Sequence, residues 1–80
     1  MTTVRYWASV RAAAGVDEET ASGATLEEVL ALVRARHGAD FERALSVCSF
    51  VVDSDPVGTR DHASVAAGSL VDCLPPFAGG

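Results

Sequence analysis

The chain has 80 residues, 49% of them hydrophobic and 21% charged, which is room for one small core and too little for two. Eleven acidic residues against six basic ones leave a net charge of −5, a balance that opposes nucleic-acid backbones and anionic membranes and favours a partner with a basic patch. No apolar run is long enough to cross a bilayer, and the opening MTTVRYWASV lacks the regions of a secretory signal, so the expected location is the cytoplasm.

The first β-prone stretch, TVRYWASVR, predicts a strand with Val4, Tyr6, Ala8 and Val10 on one face and Arg5, Trp7 and Ser9 on the other. Gly15 breaks the run of alanines that follows, and DEETAS predicts a short polar edge strand closed by Gly23. Thr25 and Glu28 have the spacing of a capping box, and Leu26, Val29, Leu30 and Val33 fall on one stripe of a 3.6-residue wheel. A helix is predicted there, with Arg34 and Arg36 in its closing turns and Gly38 able to end it. DFERAL predicts one further helical turn.

Beyond it, VCSFVVD predicts a strand, and Asp55, Pro56 and Gly58 in SDPVG predict a reverse turn with a short strand near Val57. Gly68 marks another turn, and the last strand is expected to end at Leu74, because Pro75 cannot donate to a ladder. These elements make an α+β roll: a mixed sheet of four to five strands with one main helix packed on one face. A single helix leaves the other face polar or reserved for a partner. Alternation sends Trp7 outward if Val4 and Tyr6 point to the helix, and Leu74 outward if Val71 and Cys73 point in. The expected division is a domain over 1–74 and a flexible tail over 75–80.

Cys48 and Cys73 lie in apolar surroundings without metal or redox spacing and read as buried small hydrophobes. Asp53 and Asp55 beside a proline read as turn residues and not as a cation site, so no metal is assigned. His37 reads as the end of the helix and His62 as a loop residue, with no nucleophile at triad spacing.

The ending CLPPFAGG is a chemical group in its own right. Pro75 and Pro76 are expected to hold an extended conformation and project the terminus, while Ala78, Gly79 and Gly80 taper to bare backbone able to enter a channel too narrow for a Cβ. Its tip carries only the α-carboxylate of Gly80, unreactive near neutral pH and in need of activation by another protein.

The strand-helix-strand order, the length and the ending LPPFAGG resemble the MoaD/ThiS family of ubiquitin-like sulfur carriers, most nearly its MoaD type, the small subunit of molybdopterin synthase. That resemblance implies a β-grasp (ubiquitin-like) fold. It implies that an E1-like adenylating enzyme uses ATP to convert the Gly80 carboxylate to an acyl-adenylate, which a persulfide sulfur converts to a thiocarboxylate. It also implies a large synthase subunit that receives the tail and passes the sulfur to a pterin precursor in molybdenum cofactor biosynthesis. The ATP site and the acid-base groups then belong to partners, and no cofactor is bound here. Trp7, Leu74 and Phe77 are the docking residues that the resemblance implies. Two departures stand out: Gly68-Ser69-Leu70 replaces an acidic turn common in the family, and Asp72 and Cys73 replace residues that are commonly apolar or aromatic.

Other readings remain open at this point. The acceptor is a thiamin thiazole, a cysteine precursor or a specialised metabolite in one; in another the chain is a ubiquitin-like modifier, although the absence of lysine rules out self-linked lysine chains. In a third it is an interaction domain whose Gly-Gly is incidental.

Overall fold

The structure is a computed structural model and describes residues 1–58 and 68–76, for the last two of the first segment in backbone only. Eight elements follow one another: β1 (Thr2–Tyr6), α1 (Ala8–Ala14), β2 (Glu18–Ala21), α2 (Leu26–Arg36), α3 (Ala39–Leu45), β3 (Ser49–Val52), β4 (Asp55–Gly58) and β5 (Leu70–Leu74). The strands form one mixed sheet in the order β2-β1-β5-β3-β4, with β1 and β5 parallel and the other pairs antiparallel. The C-terminal strand is therefore the middle strand, hydrogen-bonded on both sides.

The predicted helix is α2, and its start is the one the residues dictate. The Thr25 side chain accepts from the Glu28 N–H while Glu28 reaches back to the Thr25 N–H at 3.0 Å. Its buried stripe is Leu26, Val29, Leu30 and Val33. It meets Val4, Tyr6, Phe50, Val52, Val71 and Cys73 from the sheet in one core, which Val10, Phe41 and Leu45 of the other helices complete. Gly23 is packed close beneath this helix: a Cβ there would lie 3.0 Å from the Glu28 Cβ and Val29 Cγ2.

Three local readings need correction. The opening strand stops at Tyr6, and Ala8–Ala14 is helical, because ASVRAAA is alanine-rich and only Val10 of it is buried. Helix α2 ends at His37, as read from the sequence, but Gly38 caps α3 instead of closing α2, and α3 runs for seven residues instead of a single turn. The reverse turn falls on Asp53 and Ser54, whose φ values of 49° and 71° give the two-residue hairpin geometry that matches strand twist. Asp55 and Pro56 belong to the edge strand β4, a position proline tolerates. Asp53 fastens this hairpin to β5, its carboxylate accepting from the Leu70 N–H and the Ser69 hydroxyl, each at 2.8 Å. Those bonds, the backbone one first, hold its carboxyl below the usual range.

Candidate functional site

All three helices feed the core on one side of the sheet, and among the described residues no helix covers the other side, the open face. Pairing registers place Thr3 and Arg5 of β1, Leu70, Asp72 and Leu74 of β5, and Ser49 and Val51 of β3 on that open face. Apolar Val51, Leu70 and Leu74 are half-buried there, with no helix among the described residues above them.

At one end of this face the chain leaves β5. Tyr6 pairs with Cys73, so the next residues, Trp7 and Leu74, reach the same end of the sheet. The structure thus brings together two of the three expected docking residues. Pro75 is buried and Pro76 exposed; the third docking residue, Phe77, and the tail residues Ala78, Gly79 and Gly80 lie outside the described residues.

Trp7 is 40% exposed and is fixed from two sides. The backbone turns sharply behind it: Trp7 is extended (φ −126°), and Ala8 takes φ 49°, a left-handed conformation that an alanine adopts at a cost of about 1 kcal/mol. In front, its indole Nε1–H donates to Asp72 Oδ1 at 3.0 Å. The same carboxylate accepts two bonds from Arg5, Nε at 2.7 Å and Nη2 at 3.2 Å, and the Arg5 guanidinium carbon lies 5.5 Å from the centre of the indole ring. Burial alone would push the Asp72 carboxyl up, but its bonds from Arg5 and Trp7 outweigh that and hold it below the usual range. The sequence put Arg5 on the outward face and singled out Asp72 as a departure, but their pairing escaped notice because it depends on the register of a parallel pair 67 residues apart, which no local pattern reports.

On the helix side, a second polar cluster joins β2 to the end of α2. The Glu19 carboxylate accepts from the Tyr6 hydroxyl at 2.6 Å and from Arg36 at 2.9 Å, and meets His37 Nε2 at 2.5 Å. The His37 ring lies against Phe41, with centroids 4.4 Å apart, so this histidine does more than end a helix. The thiols are buried, and burial pushes Cys48 up to about 11 and Cys73 higher still. Among the described residues no three His, Cys, Asp or Glu side chains gather to hold a metal ion, and no helix is long and apolar enough to cross a membrane.

A protein-family model described as the ThiS family matches residues 4–80, all but the first three. The chain belongs to the ThiS family of ubiquitin-like sulfur carriers. No curated protein sequence matches it. Among solved structures, small archaeal modifier protein 1 from Methanosarcina acetivorans superposes with a TM-score of 0.83 at 18% identity, over 99% of this chain and 95% of that one. A chain of the BexX/CysO complex from Amycolatopsis orientalis gives 0.80 at 26% identity, over 100% of both chains. The complex of subunits 1 and 2 of the molybdopterin-converting factor from Helicobacter pylori contains a chain that gives 0.74 at 18%, over 99% of this chain and 97% of that one. All share the β-grasp fold of this ThiS-family chain, and two of the three were solved as complexes.

Proposed function

We propose that this ThiS-family chain carries sulfur for molybdopterin synthesis as the small subunit of a two-subunit synthase. The observation that carries the reading is the exit of the chain from the middle strand, between Trp7 and the start of β3, with Pro75 buried and Pro76 exposed at that end of the sheet. An E1-like adenylating enzyme would transfer AMP from ATP to the Gly80 carboxylate with release of pyrophosphate. The terminal sulfur of a persulfide would attack the acyl carbon and expel AMP; reduction of the acyl disulfide by a thiol would leave a thiocarboxylate on Gly80. The large subunit would then take the tail, with Trp7, Leu74 and Phe77 against its surface, and move the sulfur to the pterin precursor. On this reading no side chain of this chain is needed for a chemical step.

The molybdopterin acceptor rests on the proline pair, the apolar residue before Ala78 and the final glycines. A second acceptor, a cysteine precursor or a specialised metabolite in place of the pterin, is kept beside it because of a separate observation: the 26% identity over both full chains to a member of the BexX/CysO complex. Charging the purified chain with its adenylating enzyme, ATP and a persulfide, then adding the large synthase subunit and the pterin precursor, separates them. Transfer of sulfur to the pterin is the expected result. Charging without that transfer favours the second acceptor, and failure to charge overturns both.

A further inference from the structure

On the reading that an adenylating enzyme must hold this chain while Gly80 is activated, we propose that Asp72 is a positioning residue for that encounter: it satisfies the Trp7 indole N–H in advance, so that the ring enters an apolar cleft of the adenylating enzyme that supplies no hydrogen-bond acceptor.

The occupant follows from reach. Pro75 is buried, so the usable tail is Pro76 to Gly80, five residues that span at most about 17 Å when fully extended. An enzyme that takes the Gly80 carboxylate into an ATP site therefore lies against the sheet end where Trp7 stands. Among the described residues Trp7 is the largest exposed side chain at that end.

The chemistry of the cleft follows from what Trp7 already has. Burying an indole N–H with no acceptor costs about 1 to 3 kcal/mol, and a partner ordinarily supplies the acceptor. Here Asp72 Oδ1 supplies it from within the chain, in a side chain only 14% exposed. The Asp72 charge is in turn matched by the bidentate Arg5, so neither a cation nor an acceptor is required from the partner at this point. Exposed Glu27, Glu28, Asp40 and Glu42 sit on the helices, and Glu18 stands opposite Arg5 across the β1–β2 pair, so the Arg5 cation lies between two carboxylates. Around Trp7 the open face offers Leu74 and Val51, which suits an apolar contact.

An arrangement of this kind has a signature in a double-mutant cycle. The readout is ATP–pyrophosphate exchange by the source organism's adenylating enzyme, with the full chain as the varied substrate. Trp7→Phe, which keeps an aromatic ring and removes the N–H, sets the reference background of the cycle, whatever its own KM. Asp72→Ala is expected to raise that KM about tenfold with kcat unchanged when Trp7 is present, and to change it little in the Trp7→Phe background. Asp72→Asn, which keeps an acceptor oxygen, is expected to restore most of the loss. Trp7 is the only tryptophan, so the free chain reports on the same contact: Asp72→Ala is expected to shift its emission to the red and to increase quenching by acrylamide. Should the alanine variant lose its fold by circular dichroism, Asp72→Val, a good strand former without an acceptor, takes its place. An equal KM penalty in both backgrounds, or an unshifted emission, overturns the role of Asp72. Absence of exchange with the wild-type chain overturns the carrier reading itself.

Discussion

The Tyr6 hydroxyl donates to the Glu19 carboxylate at 2.6 Å, diagonally across the β1–β2 pair, and the same carboxylate holds Arg36 and His37 of the helix end. Three elements therefore converge on one half-buried charge. Burial raises the Glu19 carboxyl, but the bonds from Tyr6, His37 and Arg36 outweigh it, and the net shift is downward. A carboxyl depressed in the folded state contributes stability that is present above its unfolded pKa, about 4.3, and is lost as pH falls through the folded value.

Asp72 and Asp53 are shifted in the same direction, so the chain is expected to lose stability progressively below about pH 4. Glu19→Gln should lower the melting temperature at pH 7 and flatten its decline in acid. Thermal melts of both proteins from pH 7 to pH 2 measure this; parallel curves would remove Glu19 from the account.

Two backbone positions are sensitive for opposite reasons. Gly23→Ala puts a Cβ 3.0 Å from Glu28 and Val29 side-chain atoms and 3.1 Å from the Val29 nitrogen, an overpacking expected to cost about 1 to 3 kcal/mol. Ala8→Gly relieves a left-handed φ of 49° and is expected to be neutral or to stabilise by up to about 1 kcal/mol, whereas Ala8→Val should destabilise. Urea unfolding of the three variants decides both points. A stable Gly23→Ala protein would show that the loop before α2 yields easily.

The thiols should be bystanders to the sulfur chemistry. Cys48 is buried with its Sγ directed at the Ala44 carbonyl, 3.3 Å away, and burial raises it to about 11; Cys73 is fully buried. The native chain at pH 8 should resist alkylation by iodoacetamide and react at both cysteines once unfolded. Rapid labelling of either in the native state would mean that it opens to solvent.

Much of this was legible in the residues themselves. Local signals were read correctly where one principle acted alone: Thr25 and Glu28 gave the helix start, Gly68 a turn with φ 85°, and Pro75 the end of the last strand. The opening segment misled because Val4, Tyr6, Ala8 and Val10 continue a period of two past the strand's end, while alanine's helix propensity and the turn at Ala8 take over after Trp7. The hairpin was displaced because Pro56 and Gly58 are stronger turn signals than Asp53 and Ser54, yet an edge strand accommodates them. The partnership of Trp7 with Asp72 needed tertiary structure, since only the parallel pairing of first and last strands brings them together.

The central claim is that Gly80 carries the sulfur. Intact-mass spectrometry of the protein isolated from its own cells should find a fraction heavier by the difference between one sulfur and one oxygen, located by fragmentation on Gly80. A variant lacking Gly80 should show none of it while keeping its fold. The same mass gain in the Gly80-deleted chain, or its location at Cys48 or Cys73, would contradict the account.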